Sequence, residues 1–251
     1  MKRWKHYIMI RMNLYLYRTQ TKHPGKADAW MADRMQKFAN ITVPSLRGQT
    51  CQDFEIVCLW DSKTPKKTLT RAEKILKGLQ YQFIIVETVG RFKEKDGSVG
   101  WARAFSDIAK TECRRAVMTR LDNDDALARD AVKNIQECAQ KVRGGAFVID
   151  MPCGVMWDKG NDKAYLARHK RGSPFITLVE DTGSKNGILT VYWHCHNKVA
   201  SHEEVLLVSR NEPGWLMVVH DNNCTNRIFE HMIESKIPVS RIKEWFDVCL
   251  S

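Results

Sequence analysis

The sequence predicts an α/β fold: a mixed, mostly parallel sheet flanked by helices, with added strands in the C-terminal part. Three observations carry this. Strand-like and helix-like segments alternate through residues 1–150, the pattern of parallel strands joined by crossover helices. After Asp150 the rhythm changes to a hairpin and further strands. A chain of 251 residues with 43% hydrophobic and 27% charged residues has the length and composition to bury one substantial core. Residues 1–251 therefore read as one domain, with 1–150 a nucleotide-type half and 151–251 adding strands and loops to it.

Taken in order, "HYIMIRMNLYLY" is the first strand. "DAWMADRMQKFANITVPSL" is helical, with Trp30, Met31, Met35, Phe38 and Ile41 on its inner side and Pro44 as its stop. "DFEIVCLWD" is the second strand. The basic stretch "KTPKKTLTRAEKILK" follows as a helix whose inner side is Leu69, Ile75, Leu76 and Leu79. "YQFIIVETV" is the third strand, "GWARAFSDIAKTEC" a helix, "RRAVMTRLD" the fourth strand, "DALARDAVKNIQECAQKV" a helix and "GAFVIDM" the fifth strand. Beyond it, "GVMWDKGNDKAYLARH" reads as a hairpin turned at residues 158–161, and "GILTVYWHCH" and "GWLMVVHDN" as further strands.

The fourth strand runs into "LDNDDAL", which crowds Asp122, Asp124 and Asp125 in a chain of net charge +11. Carboxylates this close repel one another unless a cation, hydrogen-bond donors or open water compensate them. Two readings of the string stand: a bound divalent metal, and a solvated turn in which Asn123 and one aspartate cap the next helix. Placement favours a metal or substrate role. In open α/β sheets ligands bind outside the carboxyl ends of the strands, and Asp122–Asp125 occupy such an end. The second strand also ends in an acid, Asp61, and the first carries Arg11 and Asn13 near its end, so three strand ends converge on one crevice.

With 40 Lys+Arg against 29 Asp+Glu, the chain favours polyanionic partners: nucleic acid, an anionic membrane surface or phosphorylated small molecules. The charge is spread along the chain, which weakens the first, and the lysines from Lys63 onward read as a solvated helix face. A second basic stretch, "KAYLARHKR", ends at Arg171. No apolar run approaches the ~20 residues of a spanning helix, and the start "MKRWKHYIMIRMNLYLYRTQ" is broken by Arg11 and Arg18 with no small-residue cleavage site, so a soluble protein is expected. Eight scattered cysteines without a CxxC pair imply reduced thiols in the cytoplasm. In "WHCHN", His194 and His196 stand two apart and on one face if the segment is a strand, where they would ligate a metal or, as is commoner, sit as core or cleft histidines.

The segment "GWARAFSDIAKTECRRAVMTRLDNDD" resembles the nucleotide-sugar glycosyltransferases of the GT-A fold, in which a strand ends in an Asp-x-Asp motif. A closer resemblance is to the rhamnosyltransferase family, carried in order by "VPSLRGQTCQDFEIVCLWDSKTP", "TRLDNDDAL", "SPFITLVE" and "VVHDNN". The resemblance implies transfer of a sugar, of hexosyl type and with inversion, from a nucleoside-diphosphate sugar to a hydroxyl acceptor, a glycan or a modified nucleic-acid base. It implies Mn²⁺ or Mg²⁺ anchored by Asp122 and Asp124, with His220 reaching the metal or the diphosphate. Asp61 would hydrogen-bond the base or ribose, Arg11 and Arg103 would bind phosphates, and Asn13 and Asp122 would complete the donor site. Glu180 and, behind it, Asp181 would supply the general base. The same aspartates would also suit a metal-dependent phosphodiesterase or nuclease, and the basic balance a nucleic-acid-binding module, although an acidic cleft opposes the latter. Release of nucleoside diphosphate from a sugar donor separates the first reading from the other two.

Overall fold

The computed structural model describes residues 1–13, 24–86, 100–142, 144–170, 172–183, 188–192, 196–202, 204–208, 212–222 and 227–250. Strand β1 (Lys5–Arg11) is followed by helix α1 (Pro24–Lys37), a π-helical turn (Phe38–Thr42) and helix α2 (Val43–Arg47). Next come β2 (Glu55–Asp61), α3 (Lys66–Leu76), β3 (Tyr81–Val86), α4 (Gly100–Glu112) and β4 (Arg115–Asp122). The short β5 (Ala126–Leu127) precedes α5 (Ala131–Lys141), β6 (Phe147–Asp150) and a hairpin of β7 (Cys153–Asp158) and β8 (Lys163–Arg168). The chain continues through β9 (Thr177–Asp181), α6 (His196–His202), β10 (Glu204–Leu207), β11 (Trp215–Val219), β12 (Ile233–Ile237) and α7 (Ile242–Trp245).

Seven strands form one sheet in the order β10-β6-β9-β4-β1-β2-β3. β1 pairs parallel with both β2 and β4, β2 with β3, and β6 with β10, whereas β9 is antiparallel to β4 and β6. All but β9 therefore end at one edge, where Arg11 lies in register with Asp122, and Asp61 with Val86. The central strands read as nearly continuous apolar runs because both faces are covered. One face packs on Met31, Met35 and Phe38 after the β1 crossover and on Ile135 of α5. The other packs on Phe105 and Ala109 of α4 and on Val191 and Tyr192. The exposed lysines of α3 and the buried Leu76, with Leu69, Ile75 and Leu79 packed beneath, match the solvated basic face.

A second sheet, β12-β8-β7-β11-β5, stacks its own core of Val155, Trp157, Leu216, Val218 and Phe246. Gly154 in β7 lies beneath Trp215; a Cβ there would stand 2.1 Å from the indole, so only glycine lets the ring lie flat.

Three expectations are corrected. Pro44 does not stop the first helix: the π turn resets the hydrogen-bond phase, and Pro44 falls in the first turn of α2, where its missing N–H costs nothing. The helix after the acidic cluster starts at Ala131 because Ala126–Leu127 pair with β11 and the Ala128 N–H donates to the Gly214 carbonyl. "GILTVYWHCH" is not a strand where it is described: residues 188–192 cross the α4 face of the sheet without pairing, and His196 opens α6. "LVED" belongs to β9, with Glu180 8% exposed. His194 and Arg171 lie outside the described residues, as do the ends of the segments read as the first and third strands.

Candidate active site

At the carboxyl edge, Arg11 Nη2 donates to Asp122 Oδ1 at 3.0 Å and Arg120 Nη2 lies 3.6 Å from Asp122 Oδ2. Both guanidiniums lie over the ring of Tyr192, at 4.7 and 5.2 Å, a cation–π arrangement in a desolvated place. The Tyr192 hydroxyl is 3.0 Å from the Met9 carbonyl and 3.1 Å from that of Leu121, which fixes the platform to β1 and β4. Burial alone would push the Asp122 carboxyl up; Arg11 and Arg120 outweigh it and hold the group well below the usual carboxylate range.

Asp124, 2% exposed, takes Arg34 Nη1 and His220 Nε2 on the same oxygen, Oδ2, the histidine at 2.9 Å. Arg34 reaches down from α1, lies 5.2 Å over Trp30 and donates Nη2 to the Asn222 carbonyl at 2.6 Å. The Asn222 N–H donates to His220 Nδ1 at 3.2 Å, so the imidazole proton sits on Nε2, facing Asp124. Asn123 donates Nδ2 to the carbonyls of Arg11 (3.1 Å) and Met12 (2.7 Å), clamping the exits of β1 and β4 together. Asp125 accepts the Val218 N–H at 2.8 Å, while its buried Oδ2 has no hydrogen-bond partner among the described residues. Burial, then Asp124 and Asp122, raise its pKa well above the usual value. The cluster is thus neither a solvated turn nor a helix cap.

The remaining expected residues divide. Asn13 is fully buried; it accepts the Asp61 N–H at 3.0 Å and donates to Thr64 Oγ1 at 2.8 Å, so its amide braces the end of β2. Asp61, also fully buried at that end, accepts the Lys63 N–H at 2.9 Å. Arg103 is exposed in the first turn of α4. Glu180 and Asp181 are not brought to the cluster. In β9 they pair with Ala116 and Arg115 at the start of β4, the opposite edge of the sheet from Asp122. Glu180 accepts the N–H groups of Leu189 and Thr190, each at 3.1 Å, and Asp181 pairs with Arg115 at 2.7 Å. The expectation of a catalytic base there is corrected by strand direction.

Sequence reasoning missed Arg34, Arg120 and Tyr192. Two carried a signal: Arg34 stands between Met31 and Met35 on the buried face of a helix, and Arg120 interrupts an apolar strand. A charge in either place must be paired.

A cavity of about 340 Å³ opens beside the cluster, bordered by Asp33, Lys37, Asn40, Lys159, His220 and Asn222. No group of three or more His, Cys, Asp or Glu side chains in metal-holding geometry occurs among the described residues, and Asp122 is turned to its arginines. The donor set nonetheless fits a hard divalent ion that takes few protein ligands and completes its shell with phosphate oxygens and water. Asp124 Oδ2 and His220 Nε2 are 2.9 Å apart, close to the ~3 Å between adjacent ligands of an octahedral ion with ~2.1 Å bonds. For His220 to join, its proton must move to Nδ1, which releases the Asn222 N–H in an exposed turn. In such a site Asp124 would be the first protein ligand.

The mixed α/β fold gathers guanidiniums and carboxylates at the carboxyl edge of its sheet, the edge where ligands bind in open α/β proteins. The family model described as "Putative rhamnosyl transferase" matches residues 24–232, and the chain belongs to that glycosyltransferase family. No curated protein matches it. Among solved structures it is similar to S. aureus TarS 1-349, at 12% identity and TM-score 0.46, over 85% of this chain and 60% of that one. The same TarS fragment in complex with UDP gives 14% identity and TM-score 0.44, over 86% and 60%. Mouse xyloside xylosyltransferase 1, apo form, gives 13% and 0.33, over 59% and 52%. The chain thus spans about 60% of the length of the TarS fragment.

Proposed function

We propose that the chain transfers a sugar from a nucleoside-diphosphate sugar to a hydroxyl acceptor, a glycan or a modified nucleic-acid base, in a metal-dependent reaction. The observation that carries this is the gathering of Arg11, Arg34 and Arg120 around Asp122 and Asp124 at the edge where β1 and β4 end. Three guanidiniums offer forked donors for phosphate oxygens, and their present carboxylate partners keep them in place until a diphosphate arrives. Asp124, with His220 beside it, would hold Mn²⁺ or Mg²⁺, which neutralises charge developing on the departing diphosphate. In this reading Asp61, at the end of β2, would hydrogen-bond the base or ribose, and Arg103, at the start of α4, would bind a phosphate. No helix of the described residues is long and apolar enough to cross a membrane.

The test is thermal unfolding with a panel of nucleoside diphosphates and nucleotide sugars, with and without Mn²⁺. A ligand at about 100 times its Kd stabilises by about 2.7 kcal/mol, or roughly 5–10 °C for a domain of this size. Asp124→Asn is expected to remove the Mn²⁺-dependent part of that shift. It should also lower the unfolding temperature, since Arg34 is left buried without its carboxylate. Absence of a shift with every nucleotide sinks the donor reading; full transfer in excess chelator sinks only the metal.

A further inference from the structure

Asp150, fully buried at the end of β6, accepts the N–H groups of Gly172 (2.7 Å) and Ser173 (3.0 Å). Gly172, with φ of +70°, turns its carbonyl to His196 Nδ1 at 2.6 Å. A carbonyl only accepts, so Nδ1 carries the proton and Nε2 keeps its lone pair. We propose that His196 is the general base that takes the acceptor hydroxyl's proton, with Asp150 as the residue that positions it through the Gly172 loop; this rests on the glycosyl-transfer reading above.

The half-buried ring stands at the edge where β4 and β6 end. It is faced by Arg120 and Asp122 from β4, Asp150 from β6, and His169 just past β8, whose ring lies edge-on at 6.2 Å. Burial and then Arg120 lower its proton affinity, against the opposite pull of the Gly172 carbonyl, Asp122 and Asp150, so the imidazole is neutral near pH 7. His169 is lowered to about 4, by burial first, and brings no charge beside it. The other candidates at this edge are committed: His220 presents Nε2–H to Asp124, Asp122 is held by two arginines, and Asp124 by Arg34. In the step, the acceptor O–H proton passes to His196 Nε2 and the oxygen bonds to the anomeric carbon. The bond from that carbon to the diphosphate oxygen breaks, and its electron pair leaves with the nucleoside diphosphate against Arg11, Arg34 and Arg120. Attack opposite the leaving group inverts the centre.

The experiment uses the full chain with Mn²⁺ and a panel of nucleoside-diphosphate sugars, reading nucleoside diphosphate released by transfer to water. His196→Gln is expected to lower kcat by about 10²–10⁴-fold. Calorimetric affinity for nucleoside diphosphate should stay within about twofold, since the base acts on the acceptor. Added imidazole should restore part of the turnover of His196→Ala, which a structural role would not allow. The wild-type kcat/KM should fall on the acid side through a pKa below the ordinary 6.5, and that limb should vanish in His196→Gln. Near-wild-type kcat in His196→Gln, or equal losses of turnover and affinity without imidazole rescue, overturns the base assignment and leaves the transfer reading standing. No diphosphate release by the wild type from any donor overturns both.

Discussion

Glu180 commits both carboxylate oxygens to the backbone, one to the Leu189 N–H and one to the Thr190 N–H, each at 3.1 Å. Thr190 has φ of +68°, a left-handed conformation that a β-branched residue adopts only when its surroundings force it. The glutamate thus fixes the segment that carries Val191 and Tyr192 across the sheet. In Glu180→Gln the amide NH₂ would face a backbone N–H that needs an acceptor, at a cost of about 1–3 kcal/mol. Unfolding should shift down by roughly 2–4 °C per kcal/mol, with nucleotide affinity unchanged. Turnover lost at an unchanged unfolding temperature would return Glu180 to catalysis. The aspartate cluster was legible because its charges follow an apolar strand, and a strand's carboxyl end is known from sequence order alone. Glu180 was not, because which sheet edge it reaches depends on the direction of β9, and pairing partners decide that. Arg34 and Arg120 left a local trace, a charge in an apolar context, but which carboxylate each meets depends on how α1 and β4 are brought together.

A polar chain runs across three strands in the middle of the sheet. His6 of β1 contacts Thr119 Oγ1 of β4 at 2.7 Å, Thr119 contacts Thr177 Oγ1 of β9 at 2.6 Å, and Gln136 of α5 lies 3.4 Å from His6 Nδ1. Gln136 donates there, so His6 donates Nε2–H to Thr119 and is neutral; burial lowers its pKa to about 3. In the unfolded chain the ring protonates near 6.5, so between about 6.5 and 3 the unfolded state binds the extra proton and stability falls as pH falls. At 1.36 kcal/mol per unit, His6 should account for roughly 3 kcal/mol lost by pH 4. Urea unfolding at pH 7, 5 and 4 should show His6→Gln less stable at pH 7 but flatter over that window. Parallel pH slopes for the two proteins would remove His6 as the cause. Periodicity found the strands and helices because burial on one or two faces writes itself into spacing. It failed at "GILTVYWHCH", where an apolar stretch packs on a sheet face without pairing: alternation reports burial, and hydrogen-bond partners are invisible to it. The π turn at Phe38–Thr42 was equally silent, since Phe38 and Ile41 fall on the buried side at the spacing an α-helix would also give.

Across the whole molecule, the net charge of +11 has two populations. Arg11, Arg34, Arg115, Arg120, Arg129, Arg168 and Arg241 each pair with a carboxylate. The excess lies on exposed groups such as Lys66, Arg71, Lys74 and Lys77, along and just beyond α3, where Lys67 is exposed but pairs with Asp28 at 3.2 Å. Residues 67, 71 and 74 share one helix face and could meet about three phosphates, whereas the arginines at the carboxyl edge are recessed beside Asp122 and Asp124 and cannot follow a duplex. Three phosphate contacts give a slope of log K against log salt near −2.7, so affinity for duplex DNA should fall only about 40-fold between 50 and 200 mM salt. From so few contacts, binding is expected to be weak at the lower salt and negligible near ~150 mM. Fluorescence anisotropy of a labelled duplex, titrated at several salt concentrations, reads both affinity and slope. Tight binding at ~150 mM with a slope steeper than about −6 would mean a continuous basic track that the pairing above does not provide, and would make a nucleic acid the acceptor. The expected outcome leaves the exposed lysines as a solvated face and agrees with the proposal that the recessed guanidiniums take the donor diphosphate.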